Sequence, residues 1–67
     1  MSLHRIIRPE EVWNLTGLSR STVYRLEALG RFPRRVKVGD HASGYFLVEV
    51  EAWIQARAAA RYPEATQ

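Results

Sequence analysis

Between Pro9 and Pro33 the chain is cut by residues that a helix cannot carry through, and their spacing leaves room for two short helices and nothing longer. Pro9 suits a first helical position, where its missing N–H costs nothing, and Glu10 and Glu11 complement the helix dipole in the first turn. Thr16-Gly17 interrupts after barely two turns, so a first helix is predicted over residues 9–15. Ser19 offers a hydroxyl cap for a second helix, and Gly30 ends it, which gives residues 19–29. At about 100° per residue, Val23, Leu26 and Leu29 fall on one stripe, while Arg20, Ser21, Tyr24 and Arg25 fall away from it. Thr22 lies on the stripe, three residues after the cap, where a small buried or capping hydroxyl fits. Two short helices across a tight glycine turn, the second with a polar outer face, describe a helix-turn-helix, although many helical hairpins would read the same way.

After Phe32-Pro33 the period changes from that of a helix to that of a strand. Arg34 to Val38 alternates, with Val36 and Val38 on one side and Arg35 and Lys37 on the other. The run from Gly39 to Gly44 supplies turn residues, and Tyr45-Phe46-Leu47 returns as a second strand. A third helix is predicted over 48–60, with Val50, Trp53, Ile54 and Arg57 at helical spacing and an alanine-rich end. Pro63 stops it, and residues 64–67 are expected to be a frayed tail. The inward stripes nominate Val12, Leu15, Leu18, Val23, Leu26, Leu29, Val36, Val38, Tyr45, Val50, Trp53 and Ile54 as core.

At 67 residues the expectation is a single domain, 1–67, with an ordered part of about 6–60. A core this small stabilises only marginally, so bound DNA or a protein partner should raise stability by mass action. The absence of cysteine removes disulfides, thiol catalysis and Cys-based zinc sites, and His4 and His41 are too few for a metal cage. Hydrophobic residues make up 46% of the chain, enough for a globular fold, yet no apolar run approaches the ~18 residues of a membrane span. Met1 to Ile7 lacks the apolar stretch of a signal peptide, so the expected location is the cytoplasm, on the nucleoid.

The formal charge of +3 is unevenly placed. Residues 19–41 hold six cations (Arg20, Arg25, Arg31, Arg34, Arg35, Lys37) against Glu27 and Asp40, a net of +4. The remainder holds four cations against five carboxylates, a net of −1. Clustering of this kind points to a polyanion, although a solvated basic face accounts for the charge alone about as well.

Catalysis is not indicated. Asp40, His41 and Ser43 sit in one turn, where neighbouring side chains diverge, whereas a catalytic triad needs mutual hydrogen-bond geometry and a pocket. No phosphate-cradling glycine loop is present, and Glu10-Glu11 are explained by the helix start. No catalytic residue, metal, cofactor or small-molecule substrate is expected.

Double-stranded DNA fits better. The helix start at Ser19, Arg20, Ser21 and Thr22 suits a phosphate, and Arg20, Ser21, Tyr24 and Arg25 make a face that fits a major groove. Arg34, Arg35 and Lys37 would follow the phosphate backbone, and His41 at the hairpin tip would enter or border a minor groove.

The string T-G-L-S-R-S-T-x-Y-R from Thr16 to Arg25, then Gly30-Arg31-Phe32-Pro33, Val36-Lys37-Val38-Gly39 and a closing Val50-x-x-Trp53-Ile54, resembles the AlpA-type prophage regulators. These are small winged-helix proteins related to the MerR-like and excisionase DNA-binding domains, and the likeness runs from about Ile7 to Arg57. It implies a mainly α fold with a small β-hairpin, namely a winged helix-turn-helix of three short helices plus a wing. It also implies sequence-specific DNA binding in transcriptional control of a mobile element or in excision by a recombinase. By the same resemblance the recognition helix is 19–29, with Arg20, Ser21, Tyr24 and Arg25 toward DNA, and the wing is 34–46. Relatives commonly carry Arg in the wing turn and Trp at its return. This chain has His41 and Tyr45, so its wing contact is expected to strengthen when His41 protonates.

Leu47-Val48 departs in the same way, being apolar where relatives place capping residues. These two side chains either extend the core or form a patch for a homodimer or a recombinase. A small protein-interaction module or accessory subunit using that patch and the Trp13 surface is the rival to a DNA-binding protein. It predicts binding that ignores salt and is lost on Leu47→Asp.

Overall fold

The computed structural model describes residues 5–61 of the chain, with side chains through residue 60. The elements run β1 (Ile6–Ile7), α1 (Pro9–Thr16), α2 (Arg20–Ala28), β2 (Val36–Gly39), β3 (Ala42–Phe46) and α3 (Leu47–Arg61). The expected tail at 64–67 lies outside the described residues.

Local chemistry explains each boundary. Pro9 opens α1, and the Arg8 N–H donates to Glu11 Oε1 at 3.3 Å. At the other end Gly17 takes a left-handed φ of 75°, and its N–H donates to the Trp13 carbonyl at 2.8 Å. Thr16 stitches the turn from both sides: its hydroxyl donates to the Val12 carbonyl at 2.8 Å and accepts from the Leu18 N–H at 3.2 Å. Ser19 caps α2 as expected, accepting from the Thr22 N–H at 3.2 Å. The helix closes with paired bonds, Arg31 N–H to the Leu26 carbonyl and Gly30 N–H to the Glu27 carbonyl, around Gly30 at φ 73°.

The three strands form an antiparallel sheet in the order β1-β3-β2. Ile6 and Ile7 pair with Phe46 and Tyr45, Val36 pairs with Gly44, and Lys37 pairs with Ser43. The sequence pattern missed β1, because two residues are too few to display alternation. β3 passes into α3 without a connecting residue, and the Leu47 N–H donates to the Arg5 carbonyl at 2.7 Å. A helix that continues a strand in this way has its first donor engaged without a side-chain cap.

Ile7, Val12, Val23, Phe32, Tyr45 and Val50 form the buried core, with Trp13, Leu18, Leu26, Leu47, Trp53 and Ile54 packed against it. Leu15, Leu29 and Val38, expected inside, are about half exposed or more. Leu29 is the C-cap of α2, where the chain turns away, and a register irregularity between Lys37 and Gly39 breaks the alternation before Val38 can turn inward. Leu15 stands off the inward stripe that Val12 defines on a two-turn helix. Ile7 and Phe32 fill the space instead. Of the two apolar residues that open α3, Leu47 packs on the core and Val48 remains exposed. Three helices with a three-stranded sheet, the first two helices joined by a tight turn and β2–β3 forming the wing, make this a winged helix-turn-helix.

Candidate nucleic-acid interface

The hydroxyls at the start of α2 form a linked set. Ser19 Oγ donates to Thr22 Oγ1 at 2.9 Å and lies 3.4 Å from Ser21 Oγ. Because Ser19 also accepts from the Thr22 N–H, that donor is already used within the protein. Arg20, Ser21 and Arg25 are exposed, whereas Thr22 and Tyr24 are half-buried.

Tyr24 is less free than its position on the helix suggests. Its ring meets Trp13 of α1 edge to face, with centroids 6.1 Å apart, and the Arg35 guanidinium carbon sits 4.2 Å from its ring centroid. Arg35 also pairs through Nε with Glu27 Oε1 at 3.3 Å, while the other Glu27 oxygen accepts from the Tyr45 hydroxyl. Four elements of sequence thus meet at one point: Trp13 on α1, Tyr24 and Glu27 on α2, Arg35 before β2, and Tyr45 on β3. Burial pushes the Tyr45 hydroxyl well above its ordinary pKa, and the Glu27 carboxylate adds to the shift, so the phenolic proton is retained.

The cations of the wing border two depressions. Arg35, Lys37 and His41 border one shallow depression together with Asp40 and Ser43. Arg34 borders a second depression with Phe46 and Ala52, and Arg35 lines that one as well. Arg35 thereby joins the Lys37–His41 side of the wing to the Tyr24 side of α2, and Arg34 does not share that surface with His41. Arg20, Arg25, Arg34, Lys37 and His41 are exposed, and Arg35 is 42% exposed in its side chain.

Trp13, Glu27 and Tyr45 belong to this arrangement; Glu27 and Tyr45 did not stand out as DNA-contact residues in the sequence, and Trp13 was expected only on the rival's protein-contact surface. Glu27 left one trace, since it is the lone carboxylate on a helix that carries Arg20 and Arg25. Nothing local announces its partner eight residues on, which is reached only after the chain has turned at Gly30.

The surface offers cations, hydroxyls and one aromatic edge on a helix and a hairpin that touch. Groups of these kinds are able to contact phosphates and base edges. Among the described residues, no cluster of three or more His, Cys, Asp or Glu side chains could hold a metal ion, and no helix is long and apolar enough to cross a membrane.

Residues 5–58 match the family model described as prophage CP4-57 regulatory protein (AlpA). A protein of Enterobacteria phage P4, the uncharacterized protein ORF88, is 44% identical over 57 residues, which is 85% of this chain. The matched stretch spans 65% of the length of that relative. With most of its length matched by the family model, and a phage relative of this identity, the chain belongs to the AlpA family of prophage regulatory proteins.

Proposed function

We propose that this protein regulates a prophage or related mobile element by binding double-stranded DNA, with α2 in the major groove and the β2–β3 wing along the flanking backbone. One observation carries the reading: Arg35 bridges the wing to Tyr24 and Glu27 of α2, so the hairpin that carries Lys37 and His41 is held against the helix that carries Arg20, Ser21 and Arg25. Arg20 and Arg25 are the candidates for guanine O6 and N7. Ser21, with the N-terminus of α2, would receive a phosphate, while Ser19 and Thr22 hold that helix start in place through their mutual bonds. Tyr24 would reach a neighbouring phosphate from its place beside Arg35, and Lys37 with Arg34 would neutralise the backbone on either side of the wing. His41 would border the minor groove.

The role within the element is either transcriptional control or direction of excision, acting without a cofactor and without catalysis of its own. A recombinase partner or a second copy of the chain is compatible with the exposed Val48. That patch is small, because Leu47 beside it is packed on the core. The basic face is therefore the better supported surface.

The test is a salt titration of binding to duplex fragments from the element, covering its promoters and attachment sites, with an unrelated duplex as competitor. Preferential binding to one fragment, with log K falling linearly against log salt, is the expected result. Binding that is indifferent to both salt and sequence would overturn the reading. The position of the footprint separates a promoter function from an excision function.

A further inference from the structure

Glu27 is an oddity on this surface. It is a carboxylate in the middle of the basic segment, facing the region where a polyanion is proposed to lie, and its side chain is only 10% exposed. A carboxylate there repels phosphate, so charge alone argues against it. Both of its oxygens are nevertheless engaged, one by the Tyr45 hydroxyl of β3 and one by Arg35 Nε. Arg35 is held a second time by the face of Tyr24. A planar guanidinium fixed on two sides has little freedom left to swing toward whatever phosphate is nearest.

We infer that Glu27 is a positioning residue for sequence discrimination: it restrains Arg35, and with it the root of the wing, against the recognition helix, at the expense of total DNA affinity. This rests on the proposed DNA-binding function and deepens it. With the restraint in place, wing and helix meet a duplex in one fixed relative setting, and only a sequence that satisfies both is bound well. Without it, Arg35 becomes a mobile cation that serves any duplex equally.

The inference predicts an unusual pair of effects for Glu27→Gln, which keeps an acceptor for the Tyr45 hydroxyl but removes the charge. Affinity for an unrelated duplex rises several-fold. The slope of log K against log salt becomes steeper by about 0.9, the increment for one added phosphate contact on B-form DNA. The ratio of specific to non-specific affinity falls by about tenfold, the size of a charge-assisted bond in a partly buried site. A residue that merely supported the fold would weaken both kinds of binding and leave the slope unchanged.

Measurements of both affinities over a salt series, on folded wild type and Glu27→Gln, decide the matter. A folded Glu27→Gln protein with an unaltered ratio and slope overturns the inference. If that variant does not fold, Arg35→Met takes its place. The restraint then requires the specific ratio to fall while the slope stays unchanged, because a restrained Arg35 supplies no phosphate contact to lose. An unchanged ratio in Arg35→Met is likewise fatal. If wild type itself shows no salt-dependent binding to any duplex, the DNA-binding reading fails first, and the inference fails with it.

Discussion

The indole N–H of Trp53 donates to the backbone carbonyl of Arg31 at 2.7 Å, which ties α3 to the loop that follows α2. The same indole packs against Phe32 at a centroid separation of 4.9 Å, so one side chain fixes both the loop's path and its buried aromatic. Trp53→Phe retains most of the ring contact and loses the hydrogen bond. It should cost about 1 kcal/mol in urea denaturation, against roughly 3–5 kcal/mol for Trp53→Ala.

Gly44 admits no side chain. A Cβ there would stand 2.6 Å from Ile6 Cγ2 and 2.8 Å from the Ile7 carbonyl oxygen, and the latter is backbone that cannot rotate away. Gly44→Ala is therefore expected to push β1 off the sheet at a cost of about 1–3 kcal/mol. Gly39→Ala is the control. Its Cβ meets only Ala42 Cβ at 3.8 Å, so its melting temperature should stay near that of the wild type.

The Tyr45 hydroxyl predicts an alkaline limit to stability. Its folded-state pKa is raised above the ordinary 10.0, first by burial and then by Glu27. A raised pKa contributes stability that is fully present below the unfolded value and is lost as pH climbs through the folded one. The urea midpoint should therefore begin to fall as pH rises above about 10 in wild type and go on falling through the alkaline range. Tyr45→Phe should start about 1–3 kcal/mol lower, with Glu27 left short of a donor, and show a flatter alkaline response.

On the proposed interface, Arg25→Ala and Lys37→Ala should separate discrimination from attraction. Both residues are exposed, so neither change should move the melting temperature appreciably. Arg25→Ala should cost about 1–3 kcal/mol on the preferred duplex and relax preference at one base position. Lys37→Ala should weaken preferred and unrelated duplexes alike and make the salt slope shallower by about 1. Fluorescence anisotropy over a salt series reads both effects.

The helices were legible because their ends are written in local chemistry. Pro9, Gly17, Ser19 and Gly30 each act within a few residues of themselves, and each performs the predicted task. The core was legible where an element ran long enough to show a stripe or an alternation, as at Val12, Val23, Tyr45 and Val50. Phe32 lies in a loop and Ile7 in a two-residue strand, so neither had a period to betray it. Val38 illustrates the converse, an alternation cancelled by an irregular register that no pattern of residue types encodes. In the candidate interface, the cations were visible as a charge cluster. Their grouping was not, because the Arg35 contacts to Tyr24 and Glu27 depend on how the wing folds back on α2.

The direct passage from Phe46 into Leu47 leaves no joint between the wing and the C-terminal helix. A strand and a helix that share consecutive residues behave as a single bent lever, pinned near its elbow by the Arg5 carbonyl. A tilt of the hairpin would bear directly on the first turn of α3, and the bond from Leu47 to Arg5 stands at the place where it would be resisted.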